Sequence, residues 1–199
     1  RVGTLAQQIV DEILNPELNE RQRARLRYAL GRMANAAVTA ILRRLPDARA
    51  VQKPELVRLL DVMCTEGELS DENFNRAVSV LLDQLKVGDR QTRRTVLETR
   101  VCADPRVPPE MKRQLASEFL AHLHEFRLPD THEAIRLVML ALGPLAVSAL
   151  FSFIVRGFPS EDADEALKTL GQIVVEDSSG IPEEKLEHIA DFCMEAFDR

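Results

Sequence analysis

The chain has 199 residues, 45% of them hydrophobic and 29% charged, with 26 Lys and Arg against 32 Asp and Glu for a net charge of −6. This balance excludes collagen-like, mucin-like and wholly disordered chains, because there is enough apolar mass for a core. The 8 Gly and 10 Pro are too few for an all-β protein with a turn at every strand end. Apolar spacing is helical almost everywhere, and no convincing alternation of period two is found. Thr4 to Leu14 reads as a short helix closed by Asn15-Pro16. Asn19 to Leu45 reads as a long helical stretch broken or bent near Gly31. Pro54 to Thr65 opens on a proline whose missing N–H does no harm in a first turn, and its stripe is Leu56, Leu59, Leu60 and Met63. Ser70 to Lys86 is the clearest helix: Phe74, Ala77, Val78, Leu81, Leu82 and Leu85 make one continuous stripe. Ser70 stands where an N-cap belongs, Asp71 and Glu72 suit the positive end of the dipole, and Gly88 ends the helix.

Helices are likewise expected over Asp89 to Ala103, from Pro108-Pro109 to Phe126, from Pro129-Asp130 to Leu142, from Pro144 to Arg156, and from Pro159-Ser160 to Val175. In the 108–126 helix Met111, Leu115, Phe119 and Leu123 are expected inward. Pro182 begins the last helix, with Leu186, Ile189, Ala190, Cys193 and Phe197 inward. The two helices over 130–142 and 144–156 are apolar on nearly every side, which predicts cover on every side. Ala134 to Val155 is the greasiest stretch, but Arg136, Gly143-Pro144 and Ser148 interrupt it. No unbroken apolar run thus reaches the roughly 18–20 residues of a membrane span. No Gly/Ser linker or low-complexity tract divides the chain, so one domain over 1–199 is expected. The first residue is Arg1 rather than Met, as in a piece of a longer chain.

Charge is unevenly placed. Residues 1–129 hold 21 basic and 18 acidic side chains, net +3, and residues 130–199 hold 5 and 14, net −9. Such asymmetry steers partners of opposite sign to opposite ends. Cys64, Cys102 and Cys193 are odd in number, without any CxxC spacing, and each sits among apolar neighbours. They read as reduced, buried thiols in a cytoplasmic compartment.

Ala29-Leu30-Gly31 recurs as Ala141-Leu142-Gly143, and Leu170-Gly171 echoes it. Aligning 29–44 with 141–156 also matches Ala34 with Ala146, Ala37 with Ala149 and Arg44 with Arg156. The offset of 112 residues is three periods of about 37, close to the length of a helix–turn–helix repeat. Ala141 to Leu150, followed by Asp162 to Leu170-Gly171, resembles a HEAT repeat. That family has a Leu-Gly near the end of one unit, an Ala-Val-Pro-Ala-Leu-like first helix, then Asp, Arg and Ala-x-x-Leu-Gly in the second. Residues 141–173 carry the resemblance best and 29–60 more weakly. Ser148 stands where the family has Pro, and Asp164 or Glu165 where it has Arg. The resemblance implies an all-α, right-handed α-solenoid of roughly ten helices in antiparallel pairs; the alternative is an irregular helical bundle.

Enzyme signatures are sparse. GxGxxG, GxxxxGK[ST], GxSxG and HExxH are all absent, so no catalytic residue and no cofactor is assigned. His122, His124 and His132 lie close in sequence, and the pairs His124-Glu125 and His132-Glu133 resemble the iron-holding His-Glu pairs of the HEAT-like deoxyhypusine hydroxylases. In that family the pairs recur one per repeat, whereas here they are eight residues apart across one turn. A metal-dependent enzyme on this scaffold is therefore one alternative. Arg21, Arg23, Arg25, Arg27 and Arg32 cluster on one helix, and Arg90, Arg93 and Arg94 begin another. These could track a phosphate backbone, but with no Trp and one Tyr the chain is poorly equipped to stack on bases. The expectation is a non-enzymatic scaffold or adaptor that binds a partner protein in a groove. Arg21, Arg23, Arg25, Arg27, Arg90, Arg93 and Arg94 would meet the acidic surface of that partner.

Overall fold

Ser70 accepts the Asn73 N–H at 3.4 Å and starts a helix that runs over Asp71–Val87 until Gly88, and all six expected stripe residues are buried. Helix is the regular structure of the described residues, with no strand among them. The structure, a computed structural model, describes residues 1–123, 129–157 and 160–197, leaving aside the side chains of 129–132, 196 and 197. The α-helices are α1 Val2–Ile13, α2 Glu20–Gly31, α3 Ala34–Arg44, α4 Lys53–Glu66, α5 Asp71–Val87, α6 Arg90–Leu97, α7 Pro109–Ala121, α8 Pro129–Leu142, α9 Val147–Gly157, α10 Glu161–Glu176 and α11 Glu183–Phe197. Short 3-10 turns occupy Ala50–Gln52, Val101–Ala103 and Gly143–Ala146.

The expected helix over 89–103 is shorter than its apolar pattern. α6 ends at Leu97, where Thr99 turns its hydroxyl back to the Val96 carbonyl at 2.6 Å, and a 3-10 turn follows. Asp61 on α4 accepts the Val101 N–H at 2.9 Å, which fixes that turn from outside the segment. The long stretch over 19–45 breaks after Gly31, as expected.

Two compact units are found, Arg1–Met111 and Lys112–Arg199. Their boundary falls in the first turn of α7, and no change of composition marks it. In the first unit each helix packs on the next and on the next but one: α1 on α3 and α3 on α5, α2 on α4 and α4 on α6. In the row α1, α3 and α5 the polar links join like ends of the helices. Arg44 near the end of α3 pairs with Asp11 near the end of α1 at 3.1 Å. Asn35 at the start of α3 accepts from the Ser70 N–H at 3.0 Å and the Asn73 side-chain amide at 2.9 Å at the start of α5. The core between the rows holds Leu30, Ile41, Leu56, Leu60, Leu81 and Leu85.

In the second unit α10 packs on α8 and α9. Glu133–Gly157 is long and apolar enough to cross a membrane by length and composition, with mean hydropathy 2.3 over 18 residues and 33% of that window buried. It is not one straight rod. Gly143 has φ +55°, a left-handed conformation that interrupts helical hydrogen bonding between α8 and α9. Complete cover of these two helices, expected from their composition, is not observed. α9 buries one stripe, Val147, Leu150 and Ile154, while Val155 is 49% exposed and Leu137 on α8 is 53% exposed. α10 covers one side of each. α11 also differs from expectation: Ala190 is exposed, and Leu186, Ile189 and Cys193 are only half-buried. Its Phe192 meets Phe151 of α9 edge to face, with ring centres 5.8 Å apart. Phe197 lies outside the residues whose side chains are described.

Candidate functional site

The arginine cluster belongs to α2, a helix rich in charged and polar residues. Asn19 caps it through a capping box, accepting the Gln22 N–H at 3.0 Å while Gln22 accepts the Asn19 N–H at 3.0 Å. Leu30 is the only buried residue of the helix. Successive residues turn by about 100°, so residues two apart sit nearly opposite each other. The spacing Arg21, Arg23, Arg25, Arg27 therefore splits into two faces, and the structure treats them differently.

Arg23 and Arg27 turn inward. Arg23 is half-buried and donates from Nη2 to the Asn15 carbonyl at 3.1 Å, while its Nε is buried without a partner. Arg27 lies between Glu20 at 2.6 Å and Glu55 of α4 at 2.8 Å. The hydrogen bond to Glu55 leads in holding its guanidinium above the ordinary arginine range, against an opposing effect of burial. These two arginines fasten α2 to its neighbours.

Arg21 and Arg25 point outward, exposed, with no hydrogen bond or ion pair among the described residues. Tyr28, 72% exposed, follows Arg25 by three positions, and exposed Arg32 follows Tyr28 by four. Residues 21, 25, 28 and 32 thus form one stripe at helical spacing, three guanidiniums around an aromatic ring. Arg32 belongs to the expected cluster, whereas Tyr28 is not among the expected contact residues. Counting by three and four rather than by two finds it.

The second arginine group starts α6. Asp89 caps this helix, accepting the Thr92 N–H at 2.9 Å and the Thr92 hydroxyl at 3.0 Å. Desolvation pushes the Asp89 carboxyl up, but these bonds outweigh it and hold the group below the usual carboxylate value. Arg90 is exposed, Arg94 pairs with Glu98 at 3.1 Å, and Arg93 is engaged within the chain. α4 packs against both α2 and α6, so the two arginine groups flank one helix.

Other candidate chemistry is dispersed. His122 is half-buried with Nε2 3.9 Å from Glu118, and Glu133 pairs with Arg136 at 2.7 Å. His124, Glu125 and the side chain of His132 lie outside the described residues. Among the described residues no group of three or more His, Cys, Asp or Glu is placed to hold a metal ion. Burial pushes the Cys64 and Cys102 thiols up to about 12, which keeps them protonated and poorly nucleophilic near neutrality. Cys193 is half-buried rather than buried, on a helix none of whose described side chains is fully buried. A cleft of about 670 Å³ in the second unit has Leu120, Ile135 and Met139 on its floor and Glu133 and Glu165 at its rim. Arg136 and Lys168 pair with these two carboxylates.

No protein-family model, no curated protein and no solved structure matches the chain.

Proposed function

We propose that the chain is a non-enzymatic interaction scaffold, a HEAT-like α-solenoid in which α2, α4 and α6 are the second helices of successive pairs and carry the binding surface. The next-but-one packing of the first unit supports the solenoid reading, since stacked helix pairs meet in that way. So does the spacing of its polar links, which join residues 33 to 42 apart in several places, close to one repeat. A cytoplasmic location fits the buried, protonated thiols Cys64 and Cys102.

The observation that carries the binding proposal is the unpaired stripe Arg21, Arg25, Tyr28 and Arg32. Arg and Tyr are the residue types that dominate binding hot spots, and fixed cations on a rigid helix favour an acidic protein surface. Replacing Tyr28 with a photo-crosslinking residue tests this. The crosslinker should capture a protein in the source cell, and Arg21→Glu with Arg25→Glu should abolish capture. Crosslinks to nucleic acid instead would move the assignment to phosphate-backbone binding. An unchanged protein crosslink in the doubly substituted chain would refute the electrostatic reading.

A further inference from the structure

We infer that the α2 stripe is occupied by α11 of a second copy of this chain, in a head-to-tail contact; the inference rests on reading α2 as the recognition face.

The second unit carries 8 basic and 16 acidic side chains, net −8, whereas the first carries 18 and 16, net +2. Much of that negative charge lies on α11. Glu187, Asp191 and Met194 are exposed there, Met194 by 68%, and neither carboxylate has a hydrogen bond or ion pair among the described residues. No residue of α11 whose side chain is described is fully buried, so a broad face of the helix remains open. A helix held to its own unit by so little apolar burial has surface to offer elsewhere.

The two stripes have the same spacing. Arg21, Arg25 and Tyr28 fall at i, i+4 and i+7 on α2, and Glu187, Asp191 and Met194 fall at i, i+4 and i+7 on α11. Each stripe spans about 10.5 Å along its helix. With the helices side by side and parallel, Arg21 faces Glu187, Arg25 faces Asp191, and Tyr28 faces Met194. The result is two ion pairs beside one thioether–aromatic contact, a combination that attracts in both its polar and its apolar parts. Because the patches differ, the contact is heterologous, and copies would add head to tail into a ring or an open chain.

The chain contains one Tyr and no Trp, so its tyrosine fluorescence comes from Tyr28, inside the proposed contact. The test is sedimentation velocity of the full chain from about 1 to about 500 µM in about 0.05 and 0.5 M NaCl, with Tyr fluorescence read in parallel. The expected result is a mass that rises with concentration, a matching change in Tyr28 emission, and association at least about tenfold weaker at high salt. Arg21→Glu/Arg25→Glu and Glu187→Arg/Asp191→Arg should each be monomeric alone. An equimolar mixture of the two should associate again, since each reversed patch then meets a partner of opposite sign. All four positions are exposed, and circular dichroism checks that both variants fold. A wild-type chain that stays monomeric throughout overturns the proposal, as does a mixture that fails to associate. If association survives reversal of α11 but not of α2, the occupant is wrong and the α2 face stands. If it survives reversal of α2, copies meet through another face and the proposal falls, while the crosslink at Tyr28 still decides the α2 recognition face.

Discussion

The two units differ in how their helices are tied together. In the first, polar side chains reach across about one helix pair: Arg27 to Glu55, Asn35 to Ser70 and Asn73, Arg100 to Glu66, Asp61 to the Val101 N–H, and Arg106 to the Cys64 carbonyl. In the second, the described polar links are mostly local. Glu133 pairs with Arg136, Glu165 with Lys168 and Gln172 with Glu176, and Arg136 to Gln172 at 3.2 Å spans one pair of helices. The first unit thus combines apolar burial with hydrogen bonds of fixed geometry. The second relies more on greasy α8 and α9 packed against α10. Apolar contact sets how tightly helices pack but little about their register, whereas a directional bond to a backbone group fixes both.

This contrast can be broken experimentally, beginning with the core. Leu60 in α4 is completely buried, so Leu60→Ala should cost about 2–5 kcal/mol in denaturant unfolding. Met194→Ala, on the open face of α11, should stay within about 0.5 kcal/mol. Equal losses at the two positions would mean that α11 is packed as firmly as the core.

A smaller effect comes from one of the polar links. Asp61→Ala leaves the Val101 N–H without its acceptor and should cost about 1–3 kcal/mol. Asp61→Asn keeps an acceptor and should cost less. Burial raises the Asp61 carboxyl above 3.8, against the lowering effects of the Val101 hydrogen bond and Arg100. The folded chain therefore holds this proton more tightly than the unfolded chain does. Its favourable contribution is full below the unfolded value and is lost as the pH rises through the folded one. Asp61→Asn should remove that part of the pH dependence, read as thermal unfolding from pH 3 to 7. A pH profile identical to wild type would place the ionisation of Asp61 outside the stability of the link.

Gly143→Ala probes the other unit. A side chain at φ +55° should cost about 1–2 kcal/mol. No loss on thermal unfolding would mean that the joint between α8 and α9 relaxes freely. The smallest change has the opposite sign. Gly171 lies inside α10, and an added Cβ there meets nothing within 4 Å. Gly171→Ala should stabilise the chain by about 0.5–1 kcal/mol, seen as a higher melting temperature.

Thiol labelling sharpens the comparison from another side. Cys64 and Cys102 should resist alkylation in the native chain at pH 8, and half-buried Cys193 on α11 should react first. Equal rates for all three would show that the first unit opens as readily as the edge of the second.

Much of the local structure was legible in the sequence. The stripe of α5 with its Ser70 cap, the stripe of α4 and the break at Gly31 follow from side-chain periodicity and turn chemistry, which act over a few residues. The candidate face was half legible. The arginines of α2 were apparent, but the choice between outward Arg21 and Arg25 and inward Arg23 and Arg27 depended on where Glu55 and the Asn15 carbonyl lie. Composition also overstated the cover of α8 and α9, because a greasy helix does not specify how many neighbours it receives.

By itself, then, the sequence determined which segments coil and which face of each is apolar, since both depend on contacts within about one or two turns. The early end of α6, the division within α7, the open edge of α11 and the sorting of arginines into ties and free cations were decided only in three dimensions. Arg27 and the turn after α6 meet partners 28 and 40 residues away in sequence, and no local pattern encodes which acceptor a side chain will meet once the helices stack.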